Sequence, residues 1–282
     1  MSSAHTTVGF LGLGNLGLSM ALRLTQRGFD VVGCDSSEAR MRSLESGGGR
    51  RGDLAAVFAT STVCVATPDE APIVEFLDNG PIGATTVILH STVLPQSARS
   101  LAQALSAQNV ALVEAPVSGG PERARQGDLT LLLGGAADAV AEVDDVLDAV
   151  GSRRFHLGEV GAASATKLAN QLMMFAAVDA AHEALELTGA FGVDRAAALG
   201  AISAATGDTW VGRNWGFFDA IVADYDASGT PAQERPWRKD LREFAEAAGA
   251  AGVAAPLARN LVRTVGDLIE SDARRNEKGG AA

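Results

Sequence analysis

Between Val8 and about Phe155, seven short runs rich in β-branched and aliphatic residues alternate with amphipathic segments. The runs are VGFLG, VVGCD, TVCVAT, TVILHS, ALVEAPV, LTLLLGG and RRFHLG, and the segments between them include residues 15–27, 95–107 and 136–149. A strand, a helix and a further strand pack favourably when the helix crosses over one face and returns the chain parallel to its start. This half therefore reads as α/β, with a doubly wound and largely parallel sheet.

The pattern changes after Gly161. The stretch AASATKLANQLMMFAAVDAAHEALELTGAFG keeps apolar residues at helical spacing for about seven turns, lacks proline and predicts one long helix ending at Gly189 or Gly192. Beyond it lie Ala-rich helical segments and a loop at 226–236 (DASGTPAQERP), with no strand-like run. A chain of 282 residues exceeds the usual size of one domain. The boundary falls near residue 160, between an α/β domain over 1–160 and an all-α domain over 161–282. The run GGGRRGD at 47–53 is too short for a linker, and no internal repeat is visible.

Charge narrows the partners. With 23 Lys and Arg against 34 Asp and Glu, a net charge of −11 repels nucleic acid and anionic lipid and points to a small-molecule ligand. Cys34 and Cys64 each end an apolar run, as expected of buried free thiols in a reducing compartment. Neither they nor the four histidines offer zinc-ligand spacing. The N-terminus MSSAHTT carries no signal-peptide pattern and no segment reads as a membrane span, so the expectation is a cytoplasmic protein.

Gly12, Gly14 and Gly17 form G-x-G-x-x-G directly after the strand-like VGFL and directly before the helix-like NLGLSMALRLTQRG. In that context glycines permit a sharp turn, a close approach by pyrophosphate, and backbone N–H groups of Asn15 and Leu16 facing the phosphates. Asp35 lies 18 residues after Gly17 at the end of the second strand-like run, where a carboxylate can accept both hydroxyls of an adenosine ribose. It can also serve as the N-cap of a helix starting at Ser36. Strand, glycines, helix, strand and acid in register point to dinucleotide binding.

With these residues in view, the sequence resembles the β-hydroxyacid dehydrogenase family through almost its whole length. GFLGLGNLG resembles the family's cofactor loop, EAPVSGGPERARQGDLTLLLGG its substrate-binding signature, GEVGAASATKLANQ its catalytic helix, and Lys239-Asp240-Leu241 its late Lys-Asp-Leu. The resemblance implies a Rossmann domain, a long interdomain helix and a helical C-terminal domain that helps build a homodimer or homotetramer. It also implies reversible oxidation of a 3-hydroxy acid with NAD or NADP.

The resemblance makes Lys167 the acid/base. Lys167, Asn170 and Gln171 stand at i, i+3 and i+4, so one helix face presents an amine and two amides together. An amine among Ala, Thr, Leu and Met is partly desolvated, which favours its neutral form. Ser118, Gly119 and Gly120 match the family's carboxylate anchor, or else form a turn before a short helix beginning at Pro121. By the same resemblance Lys239 closes the site from the second domain, Ser91 and Thr92 contact the nicotinamide ribose region, and Thr67 and Pro68 form the loop over the adenosine. His90, His156 and His182 read as structural.

Three positions depart from the family pattern. Glu114 stands where Asp is usual, Arg123 where Gly is usual, and Gln171 where a second Asn is usual. Glu114 keeps a structural hydrogen bond, while Arg123 and Gln171 alter the surroundings of the substrate. Asp35-Ser36-Ser37 replaces the Asn-Arg-Thr of NADP-using members, so NAD is the expected cofactor, with Arg40 as the residue that admits NADP. Two rivals are a 6-phosphogluconate dehydrogenase or imine reductase type, and a dinucleotide-binding sensor or scaffold without catalysis. Retention of Lys167 disfavours the sensor.

Overall fold

The computed structural model describes residues 6–79 and 83–279, with side chains omitted at 76–79 and 275–279. The first five residues of the MSSAHTT segment lie outside the described residues. The chain divides into two compact units, residues 1–167 and 168–282.

The first unit is built on a six-stranded parallel sheet. Its strands are β1 (Thr7–Leu11), β2 (Asp30–Cys34), β3 (Arg50–Arg51), β4 (Thr62–Val65), β5 (Thr86–Leu89) and β6 (Ala111–Glu114), in the order β3-β2-β1-β4-β5-β6. All five pairings are parallel. Alternation along each strand feeds two cores. Val8, Phe10, Val31, Cys64, Ile88 and Val113 point to one face, and Leu11, Val32, Val63, Val65, Val87, Leu89 and Leu112 to the other. Burial on both faces explains why the strands read as continuous apolar runs. The helix Asn15–Gln26 buries Gly17, Met20, Ala21 and Leu24 at helical spacing against the first core. A second sheet holds β7 (Val117–Ser118), β8 (Leu129–Leu133) and β9 (Gly151–His156). There β7 runs antiparallel to β8, and β8 parallel to β9.

Several local expectations need correction. The run ALVEAPV is not one strand: Pro116 cannot donate to a ladder, and β6 and β7 on either side join different sheets. The segment 136–149 is two helices, Ala137–Glu142 and Asp144–Val150, broken at Val143 so that Asp144 and Asp145 occupy the first turn of the second. β3 lacks a strand-like sequence pattern because its two residues are arginines on an exposed edge, ion-paired to Asp30 and Glu38. The helix after β2 starts at Glu38, not Ser36, and Ser37 is its N-cap through Oγ accepting from the Arg40 N–H. The helix after β7 starts at Gly120, with Pro121 in its first turn. Cys64 is buried, but Cys34 at the end of β2 is only partly so.

The long helix Ala162–Ala190 runs through the boundary between the units. Gly192, at φ +77°, takes the left-handed conformation just beyond its end. The second unit contains no strand among its described residues. Helices Arg195–Ser203, Trp210–Arg213, Phe217–Ala227, Pro236–Ala250 and Pro256–Gly279 enclose a core of Phe175, Val178, Trp237, Leu241, Leu261, Val265 and Ile269. The 226–236 loop is shorter than read, since it contains a 3₁₀ turn at Ala232–Glu234 and Pro236 opens the next helix. Arg235 is buried there, pairing with Asp226 at 2.6 Å, while the Trp237 indole N–H donates to Glu270 at 3.1 Å. Among the described residues no helix is long and apolar enough to cross a membrane.

Candidate active site

In the sheet order the chain reverses direction of winding between β1 and β4, and ligands of such folds bind at the carboxyl ends of the strands beside that point. The loops after β1, β2, β4 and β5 carry Gly12 to Gly17, Asp35, Thr67 with Pro68, and Ser91 with Thr92 respectively. The first unit thus gathers these predicted residues on one edge of one sheet.

Each glycine of the loop answers a different constraint. Gly12 has φ +88°, and a Cβ there would stand 2.7 Å from the Ala66 carbonyl oxygen. At Gly17 a Cβ would lie 2.1 Å from the Gly12 carbonyl oxygen, so the helix can only seat this close to the strand without one. Around Gly14 a Cβ would meet nothing within 4 Å. That side of the loop is open, next to a helix start with no side-chain cap, which fits the phosphates of a dinucleotide.

Asp35 ties the loop to β2. Its carboxylate accepts from the Leu13 N–H at 2.6 Å and from the Ser37 N–H at 2.7 Å. The Arg40 guanidinium donates to the Asn15 side-chain oxygen, so the helix after β2 reaches the glycine loop. Cys34 lies beside them, and burial first, then the carboxylates of Asp35 and Asp53, raise its thiol above the usual range. After β4 the Thr67 hydroxyl donates to the Asp69 carbonyl at 2.6 Å. After β5, Ser91 is buried and its Oγ has no hydrogen-bond partner among the described residues. Buried His90 has Nδ1 2.9 Å from the Ala115 carbonyl, and burial pushes its pKa down to about 4.

Beyond β6 the backbone turns through Ser118, Gly119 at φ +142° and Gly120 at φ +75°. Arg123 follows in the helix that starts at Gly120 and its Nε donates to Asp128 at 3.0 Å, although its Nη2 is buried with no hydrogen-bond partner among the described residues. Hydrogen bonding from Ser152 first, then from Arg123, holds the Asp128 carboxyl below its usual range.

Lys167 belongs to the same unit as these loops and is only 8% exposed. Its helix starts against Glu114, whose fully buried carboxylate accepts from the Gly161 N–H at 2.6 Å and from both the N–H and the hydroxyl of Ser164. Asn170 and Gln171 follow on that helix. The Gln171 amide donates to buried Asp240 at 2.6 Å and accepts from Asn170 at 3.2 Å. Its extra methylene relative to asparagine gives it this reach. Lys239 pairs with Glu243 at 2.8 Å and stands 3.9 Å from Asp240. Sequence reasoning did not single out Asp240 or Glu243 as part of this cluster, although i, i+4 spacing from Lys239 to Glu243 was a readable signal.

Comparison with known proteins bears on this arrangement. A family model described as the NAD binding domain of 6-phosphogluconate dehydrogenase matches residues 7–158. A second, described as NAD-binding of NADP-dependent 3-hydroxyisobutyrate dehydrogenase, matches residues 161–277. The 3-hydroxyisobutyrate dehydrogenase of Pseudomonas aeruginosa is 31% identical over 270 residues, covering 91% of each chain. The chain belongs to the β-hydroxyacid dehydrogenase family. Another relative, the L-threonate dehydrogenase of Cupriavidus necator, is 33% identical over 216 residues, 73% of each chain. A solved 3-hydroxyisobutyrate dehydrogenase of Mycobacterium tuberculosis, described with L-serine, superposes with a TM-score of 0.77 at 24% identity, covering 96% of this chain and 94% of that one. That likeness is one of fold. As a β-hydroxyacid dehydrogenase, the chain is an oxidoreductase of a small molecule that uses a nicotinamide cofactor.

Proposed function

We propose that the protein oxidises a small 3-hydroxy acid, or reduces the matching semialdehyde or keto acid, with NAD preferred as cofactor and Lys167 as acid/base. The observation that carries this reading is a buried lysine in the same compact unit as a dinucleotide loop and a Ser-Gly-Gly turn. A buried amine in a cleft beside a ligand loop is a candidate for proton transfer.

The loop from Gly12 to Gly17, with the N–H groups of Asn15 and Leu16, holds the pyrophosphate, and Asp35 holds the adenosine ribose. When bound, the cofactor accepts or returns the hydride. Ser118, Gly119 and Gly120 hold the substrate carboxylate through a hydroxyl and bare backbone N–H groups. Neutral Lys167 takes the hydroxyl proton on its Nζ as the carbinol carbon loses hydride, and returns that proton to the carbonyl oxygen in reduction. Asn170 and Gln171, one turn on, orient the hydroxyl, and Gln171 acts through the amide pair it forms with Asn170.

NAD preference rests on Asp35, whose carboxylate would face a 2′-phosphate at close range. Arg40 opposes it, since its guanidinium already reaches Asn15 of the loop. A homodimer or homotetramer is favoured by an apolar stripe of Met173, Ala177, Ala180, Ala184 and Leu187 on the long helix, continued by Phe191 just past its end. Met173, Leu187 and Phe191 are 75%, 63% and 81% exposed, and alternating three- and four-residue steps suit a facing helix. The two free cysteines suit a reducing cytoplasm. The test is nicotinamide absorbance over a panel of hydroxy acids and semialdehydes, with NAD and NADP in parallel. Turnover on a 3-hydroxy acid supports the reading, while cofactor binding with no turnover on any member would leave a sensor.

A further inference from the structure

Resting on the proposed role of Lys167, we infer that Glu114 is a positioning residue that sets the height of Lys167 relative to the Ser118 turn. Its carboxylate is fully buried, a placement that is unfavourable unless the charge is met by donors. Here Gly161 N–H, Ser164 N–H and Ser164 Oγ–H all converge on it at the start of the long helix. Unpaired N–H groups and the positive end of the helix dipole favour a carboxylate at that place.

The other end of the residue is fixed as firmly. The Glu114 N–H donates to the Gly134 carbonyl at 2.8 Å, and the Gly134 N–H returns to the Glu114 carbonyl at 3.0 Å. A Cβ on Gly134 would lie 2.4 Å from Glu114 Oε2, so glycine there makes room for the carboxylate. Glu114 therefore pins the helix to the last residue of β6. Four residues on is Ser118, and three residues beyond Ser164, on the same helix face, is Lys167. One side chain thus links the turn assigned to the substrate carboxylate with the amine assigned to the proton. All these residues lie in the first compact unit.

The experiment is a double-variant cycle on the full-length protein: wild type, Glu114→Gln, Lys167→Ala and both together, with Ser164→Ala as a milder companion. Circular dichroism and melting report folding, titration with the reduced cofactor gives its Kd, and initial rates give kcat and KM. Displacing a catalytic group by about 1 Å can cost about 10²-fold, so Glu114→Gln should lower kcat about 10- to 100-fold. Cofactor Kd should stay within about threefold, because the side-chain bonds of Glu114 run to Gly161 and Ser164 and not to the glycine loop. Glu114→Gln added to Lys167→Ala should cost less than about twofold more, since residues acting through one another are not additive. Should Glu114→Gln fail to fold, the same cycle is read with Ser164→Ala. A folded Glu114 variant with wild-type kcat, or an equal loss in the Lys167→Ala background, overturns the inference. Wild-type turnover in Lys167→Ala alone would instead remove the role of Lys167, and with it any group acting through that residue.

Discussion

Gly14 and Gly17 are chemically identical and three residues apart, yet an added methyl group should act on them in opposite ways. In Gly17→Ala the new Cβ would stand 2.1 Å from the Gly12 carbonyl oxygen and 3.2 Å from the Ala66 Cβ. Ordinary contact begins near 3.4 Å, so helix and strand would have to part by about 1 Å. Overpacking against backbone costs about 1–3 kcal/mol. At roughly 2–4 °C per kcal/mol for a unit of this size, melting of the unliganded protein should fall by roughly 2–12 °C. In Gly14→Ala the methyl group meets nothing within 4 Å, and φ −57° with ψ −175° is open to alanine. Stability should stay within about 1 kcal/mol, with the loss of chain entropy offsetting a poorer helix cap. The methyl group would instead occupy the space proposed for the pyrophosphate, weakening cofactor binding about 10- to 100-fold, or about 1.4–2.7 kcal/mol. Thermal melts without ligand and fluorescence titration with reduced cofactor measure both quantities. Wild-type cofactor affinity in Gly14→Ala would refute the placement of the phosphates, and an unchanged melting temperature in Gly17→Ala would refute the packing.

Other expectations concern the cofactor, the substrate and acid stability. Asp35→Asn with Ser36→Arg should move the kcat/KM ratio towards NADP by about tenfold or more, because it exchanges a carboxylate for a guanidinium beside the ribose; an unmoved ratio would dismiss Asp35 as the discriminator. Arg123→Gly should alter the relative rates across the substrate panel, since Arg123 Nη2 is buried near the Ser-Gly-Gly turn with no hydrogen-bond partner among the described residues; equal change for every substrate would place selectivity elsewhere. For His90, protonation is disfavoured in the folded state, whose pKa lies near 4 against an unfolded value of 6.5. Its contribution is complete above pH 6.5 and is lost as the pH falls from there towards 4, a change of at most about 3 kcal/mol. Urea denaturation at neutral and mildly acid pH should show a smaller acid loss in His90→Asn, whose amide can take the place of Nδ1; an identical loss would assign the acid sensitivity to other groups.

Much of the fold could be read from the chain because its apolar runs are buried on both sheet faces, and such runs stand out without any knowledge of partners. Strand β3 was hidden for the opposite reason: its arginines face solvent and are held by Asp30 and Glu38. The break at Pro116 needed the second sheet to be known, since nothing local tells that β7 pairs with β8. At the candidate site the glycines, Asp35 and Lys167 carried signals through spacing and context. The link from Gln171 to Asp240 spans 69 residues, and that from Glu114 to Ser164 spans 50, so neither follows from local pattern. Arg40 was visible as a nearby cation, but its reach to Asn15 depends on how the helix after β2 leans on the loop.

The central claim, that a buried lysine moves the proton while the cofactor carries the hydride, is tested most directly by Lys167→Ala on the best substrate of the panel. The variant should melt within a few degrees of wild type and bind reduced cofactor with unchanged Kd, while turnover falls by about 10²- to 10⁴-fold, the usual contribution of a positioned acid/base. Turnover near the wild-type value in a folded, cofactor-binding variant would contradict the account.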